Sequence, residues 1–333
     1  MMKLFDFRQI SNSRKELMGV AAILILICHA PGNSVMMPLF LAKLFSYGNV
    51  GVDVFLLLSG VGLFFSLEKS DKSTFYWYSK RFIRIFVPYL IITIPYLLYK
   101  VCFMNYGFDD VILNILTISY WLSGDGDWYI SLILLIYIIT PPLFVLFYNK
   151  TGIKRWGIAV LICLIFSAMA EFTSSFESLL PFCKAISRVP AFVLGVVLVP
   201  YIKERVKMNV FYIVVATIVL LILYNFIFPH GNILWILALS VIVISCVLIE
   251  KVSFLKKIVT FIGAMSLESY LWNVHLGDIL NHLSWKFGEY DLSYGHYLEY
   301  ATVLTIGIVF AYLCYLIDKK VVEYINRKLL YNV

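Results

Sequence analysis

Polar residues interrupt the chain at near-regular intervals. Between them run ten segments built almost wholly of apolar side chains: 16–34, 49–67, 82–101, 127–148, 155–173, 185–202, 209–228, 232–250, 258–280 and 297–317. A helix that crosses a bilayer needs about 20 such residues in a row, and within hydrocarbon a lone segment satisfies its own N–H and C=O groups only as a helix. The pattern predicts an all-α integral membrane protein, a bundle of about ten transmembrane helices forming one polytopic domain over residues 1–333 with no separate soluble domain. Between the third and fourth segments, the stretch from Val111 to Leu122 is apolar but too short to span, which predicts an interfacial or re-entrant helix.

Composition agrees with the pattern. The chain is 62% hydrophobic and 14% charged, with a mean hydropathy of +0.89, against about 45–50% apolar in soluble proteins. Cytoplasmic loops carry the excess of Lys and Arg. With ten spans and both termini cytoplasmic, only Lys43, Lys100, Lys184, Arg188 and Lys286 of the 27 basic residues fall on the outer side. The net charge of +7 therefore reads as topology in a cell membrane, with the lipid bilayer as partner and no nucleic acid. The first span lacks a small-residue cleavage pattern and is expected to stay in the membrane. The six cysteines are scattered without metal-ligand spacing and read as small core residues.

Ionisable groups at membrane depth are costly and point to function. His29 ends the greasy run "AAILILICHAPGN", and Asp53, about one turn into the second span, lies at similar depth. Asp53 either orients the imidazole or serves as an N-terminal carboxylate meeting the helix dipole. In the ninth span, "FIGAMSLESYLWNVHLGDIL", Glu268 needs a partner, and Arg188 is the basic side chain expected near its depth; the pair is structural or takes part in substrate binding. At the cytoplasmic end of the third span, Arg81 and Arg84 share a helical face. Placed at a helix N-terminus, they form an expected phosphate site, or else a positive-inside anchor. The outer connection carries Trp121, Asp125, Asp127 and Trp128, and the loop at 281–296 carries His282, Trp285, Tyr290 and His296. Rings beside carboxylates suit a sugar, as they suit an interfacial anchor.

In order along the chain stand the first-span histidine, "GNVGVDVFLLLSGVGLF" (48–64), "FYWYSKRFIRIFVPYL" (75–90), "DWYISLILLIYIITPPLF" (127–144), "SRVPAFVLG" (187–195) and "GAMSLESYLW" (263–272). Together they resemble the membrane acyltransferase-3 family from about Arg14 to Ile317. The resemblance implies a multi-pass O-acyltransferase of the inner membrane. It would move an acyl group, acetyl by family expectation, from cytoplasmic acyl-CoA to a hydroxyl of a surface polysaccharide or its lipid-linked sugar precursor. His29 matches the family's essential histidine and is the expected general base or acyl relay, with Asp53 beside it. Arg81, Arg84 and Pro88 match the arginine-rich start of span three; Gly51, Asp53, Ser59 and Gly60 match the span-two motif. Glu268, Arg188, Trp128 and Asp127 are the expected acceptor-binding residues, and no metal is required.

Two positions depart from the pattern. The family arginine eleven residues before the histidine is Met18 here, and Arg14 and Lys15, within about 60° of that face, are the candidate substitutes for donor binding. The family's span-nine histidine aligns with Asn273, while His275 lies two residues on. Two other readings stay open at this point: a polytopic transporter of a glycolipid or small solute, and an inactive scaffold of a polysaccharide assembly complex. The oligomeric state is left open.

Overall fold

A computed structural model of the protein describes residues 4–32, 38–70, 73–282 and 295–331. It is almost entirely helical. The helices are α1 (Arg8–Asn12), α2 (Arg14–Gly32), α3 (Leu39–Ser46), α4 (Val50–Glu68), α5 (Thr74–Phe103), α6 (Phe108–Ile115), α7 (Ser119–Ser123) and α8 (Trp128–Phe147). They continue as α9 (Gly152–Ser174), α10 (Leu180–Ile186), α11 (Val189–Lys203), α12 (Val210–Ile227), α13 (Leu234–Lys251), α14 (Ser253–Ala264), α15 (Ser266–His282) and α16 (Gly295–Tyr331). Among the described residues, eight helical stretches are long and apolar enough to cross a membrane: Leu39–Glu68, Thr74–Phe103, Trp128–Phe147, Gly152–Ser174, Glu177–Lys203, Val210–Ile227, Leu234–Lys251 and Tyr300–Lys328. Outward apolar faces, such as Phe211, Ile222 and Phe226 on α12, suit lipid rather than water.

Two of the ten predicted segments are not among these eight. α2 opens with Arg14, Lys15 and Glu16, so its apolar part is shorter than the helix. The ninth segment is broken at Met265, whose carbonyl accepts the N–H of Ser269 as α15 begins. The stretch at 111–122 folds into the short helices α6 and α7, each too short to span. One feature is not helical: β1 (Leu4–Asp6) pairs antiparallel with β2 (Lys207–Asn209), Phe5 opposite Met208. Strands of three residues are too short to print an alternating pattern. Phe5 holds this pair in place, fully buried and edge-on to Phe7 at 5.6 Å.

The chain divides into two compact units of interleaved segments. The first comprises Met1–Ala21, Asn49–Ser73 and Ser131–Ala264. Its centre is the pair α4 and α11, which approach backbone to backbone. A Cβ on Gly60 would lie 2.2 Å from the Phe192 carbonyl oxygen, and one on Gly195 would lie 2.1 Å from that of Leu57. Small residues at such a crossing let dispersion contacts form along both helices where lipid gives no hydrophobic drive. Arg155 is buried in the same unit, donating to the carbonyls of Phe147 (2.8 Å) and Val196 (2.5 Å) with its guanidinium over Phe64.

The second unit comprises Ala22–Gly48, Thr74–Ile130 and Met265–Val333. α15 packs against both α5 and α16. Trp272 stacks on Phe310 at 4.9 Å, and Ala30, Leu276, Tyr300 and Val303 form a small apolar core. Tyr300 donates to the carbonyl of Leu26.

Candidate active site

α15 is the most polar of the apolar segments, carrying Glu268, Ser269, Asn273, His275 and Asp278 in 17 residues. Residues 273 and 275 are about 200° apart around a helix, so they look to opposite sides. On one side, the half-buried His29 ring meets Asn273: Nδ1 lies against the amide oxygen Oδ1. An amide oxygen only accepts, so Nδ1 carries the proton and the basic lone pair belongs to Nε2. A neutral amide fixes this tautomer without burying a charge. The position where the family pattern has a histidine is thus occupied by the residue that orients His29.

On the opposite side, His275 is almost wholly buried. Its Nε2 lies 3.4 Å from the Asp127 carboxylate and 3.3 Å from Thr93 Oγ1. The ring stacks flat on Tyr96, centroids 4.0 Å apart with 12° between planes, and Tyr96 donates its hydroxyl to Asp278 at 2.6 Å. Further along, Tyr99 meets His282 at 2.9 Å. Thr93, Tyr96 and Tyr99 on α5 face His275, Asp278 and His282 on α15, each series stepping by three or four residues. These are two polar stripes at helical spacing.

The connection between α5 and α8 adds a polar cluster to the same unit. Asp125 accepts from Tyr106 at 2.5 Å and lies 3.7 Å from Lys100, whose ammonium sits 4.0 Å over the Tyr106 ring. Burial pulls the Asp125 carboxyl upward, but the Tyr106 hydrogen bond and the Lys100 charge outweigh it and hold it below its ordinary value. Burial and the Asp125 charge both raise the Tyr106 hydroxyl. Trp128 opens α8 with its ring edge-on to Tyr129, and Asp127, just before it, is buried against His275.

The remaining predicted residues have partners other than those expected. Asp53 is fully buried and ion-paired with the buried Arg188, whose guanidinium also reaches the carbonyl of Asn49 at 3.4 Å. The expected Glu268–Arg188 pair is therefore replaced: Glu268 hydrogen-bonds Asp318, with Arg84 acting on it electrostatically. Likewise Asp53 holds Arg188, while His29 is held by Asn273. Arg81 and Arg84 lie in the third turn of α5, since that helix starts at Thr74 rather than beside them. The unpaired N–H groups of a helix end and its dipole act within the first turn only, so the arginines contribute their own charge. Arg81 lies 5.9 Å over Trp77, and Arg84 is exposed. Arg14 begins α2 with its guanidinium beside Gly62, where a Cβ would lie 2.7 Å from Nη2, and Lys15 is exposed. Residues 283–294, including Trp285 and Tyr290, and the side chain of His296 lie outside the described residues.

Among the described residues, no group of three or more His, Cys, Asp or Glu side chains is arranged to hold a metal. What α15 does offer, through Asn273, is a fixed tautomer for the His29 imidazole in the last turn of α2. No curated protein and no solved structure matches the chain. A family model described as an acyltransferase domain matches residues 17–317, which take in α15 and both histidines, and the chain belongs to this acyltransferase-3 family of membrane acyltransferases.

Proposed function

We propose that the protein is a cell-membrane O-acyltransferase that moves an acetyl group from cytoplasmic acetyl-CoA to a hydroxyl of a surface polysaccharide or its lipid-linked precursor. The observation that carries this reading is the His29–Asn273 contact, because it gives the histidine the form a general base requires. Nε2 accepts the proton of the acceptor hydroxyl as its oxygen bonds to the thioester carbonyl carbon. The carbon–sulfur bond then breaks, and the departing CoA thiolate takes the proton back from the imidazolium. Arg81 and Arg84 on α5 are assigned to the phosphates of the donor, for which forked guanidinium donors are suited. Asp127 and Trp128 are assigned to the acceptor side. The Asp53–Arg188 pair is assigned to holding α4 and α11 together rather than to the chemistry.

On this reading the chain forms one polytopic domain of ten spans with both ends in the cytoplasm, so that donor and acceptor arrive from opposite sides. Sealed membrane vesicles test both halves of the proposal. Inside-out vesicles carrying the protein and supplied with acetyl-labelled CoA should incorporate label into the glycan fraction, whereas right-side-out vesicles should not. Absence of label in the glycan from inside-out vesicles contradicts the transferase reading, and equal labelling in both orientations contradicts the topology.

A further inference from the structure

The face of α15 opposite His29 holds a second histidine that the proposed chemistry does not use. His275 is built in from three directions: Asp127 and Thr93 at Nε2, and the Tyr96 ring flat against its face. A carboxylate accepts, so Asp127 draws the proton to Nε2 and gives Nδ1 the lone pair. That Nδ1 is buried and has no hydrogen-bond partner among the described residues. A buried polar atom without a partner is costly, and Asp127, Thr93 and Tyr96 meet the ring in the orientation that leaves Nδ1 so. Each belongs to an element of the same unit: Thr93 and Tyr96 to α5, Asp127 to the residue before α8.

We propose that His275 Nδ1 binds a hydroxyl group of the acceptor, and that Asp127 is a positioning residue acting through His275. The ligand class follows from the chemistry of the atom. A neutral imidazole nitrogen with an unpartnered lone pair takes an O–H donor, and the flat Tyr96–His275 stack with the Lys100, Tyr106 and Asp125 cluster suits a polyhydroxylated sugar rather than an acyl chain. The site deepens the acyltransferase reading and rests on it. It accounts for the burial of Asp127, whose carboxylate meets the acceptor only through the imidazole.

Side-chain amides can separate binding at Nδ1 from a purely structural role. An Asn amide at position 275 reaches the place of Nδ1, while a Gln amide reaches the place of Nε2 and preserves the contacts with Asp127 and Thr93. Wild type, H275A, H275N and H275Q should be compared at matched membrane levels in inside-out vesicles, reading acetyl label in the glycan. Donor binding should be followed in parallel as the thermal stabilisation of the purified full-length proteins by acetyl-CoA. The expected result is that H275A and H275Q lose about tenfold in transfer, the scale of one hydrogen bond to a buried group. H275N should retain more transfer than H275Q, and all four proteins should be stabilised equally by acetyl-CoA. Transfer by H275Q equal to or greater than that by H275N overturns the proposal, as does loss of the acetyl-CoA shift in the variants. A wild type that is stabilised by acetyl-CoA yet transfers no label overturns the acyltransferase reading itself, and this inference with it.

Discussion

At the scale of single residues, the protein settles its buried charges by local pairing. Asp53 and Arg188 are both almost fully enclosed, and each is tolerable only because of the other. Removing one partner strands a charge in an apolar interior, at a cost of about 3–5 kcal/mol, whereas exchanging both for apolar residues of similar volume is far milder. Arg188→Leu is therefore expected to lower the melting point of the detergent-purified protein sharply, and the double variant Asp53→Leu/Arg188→Leu to recover most of it. A double variant as unstable as the single one would show that the pair is not what matters there. This pairing also marks the limit of what was legible in the sequence. Hydropathy speaks to the depth of a residue, and it singled out His29, Asp53, Arg188 and Glu268 as polar groups within apolar segments. It does not give the direction around the helix, and direction decides partners. Asp53 and His29 were matched on depth, while the fold gives Asp53 to Arg188 and His29 to Asn273. The signal that could have found the His275 site was present as stripes. Thr93, Tyr96 and Tyr99 step along one helix as His275, Asp278 and His282 step along another, a regularity that a chance scatter of polar residues would not show.

At the scale of helices, apolar length was readable and the interruptions were not. Segments such as Val210–Ile227 and Leu234–Lys251 fold close to where the apolar run begins and ends. The ninth segment reads as one run because Met265 is as apolar as its neighbours, yet the helix restarts there. The start of α5 was missed for the opposite reason: "TFYWYSK" is aromatic and polar, so a hydropathy window ends while the backbone continues as helix from Thr74. The small residues of the α4–α11 crossing were visible, but their role depends on which face meets which helix. Gly195 is the sharpest case, since any Cβ there meets a backbone oxygen at 2.1 Å, whereas one on Gly157 in α9 meets nothing within 4 Å. Gly195→Leu is expected to abolish recovery of monodisperse protein from the membrane, and Gly157→Leu to leave it unchanged. Comparable yields for the two variants would show that close backbone approach does not hold this pair together.

At the scale of the whole molecule, the architecture answers a problem of access. On the proposed function, a water-soluble thioester and an acceptor on the outer side meet without opening the bilayer, and a chain made almost wholly of helices supplies the reacting group from within. The family match runs through residues 17–317 and so includes segments of both compact units, which is consistent with a catalytic fold that needs nearly the full chain. Among the described residues, eight stretches are long and apolar enough to span, while the segment carrying Asn273 is interrupted at Met265. The most direct test of the account is the O-acyl content of the surface polysaccharide, read by NMR. It should be measured in a strain lacking the gene and complemented with wild type or His29→Ala at matched membrane levels. The account predicts esters restored by wild type and absent with His29→Ala; full acylation by a well-folded His29→Ala protein would contradict it.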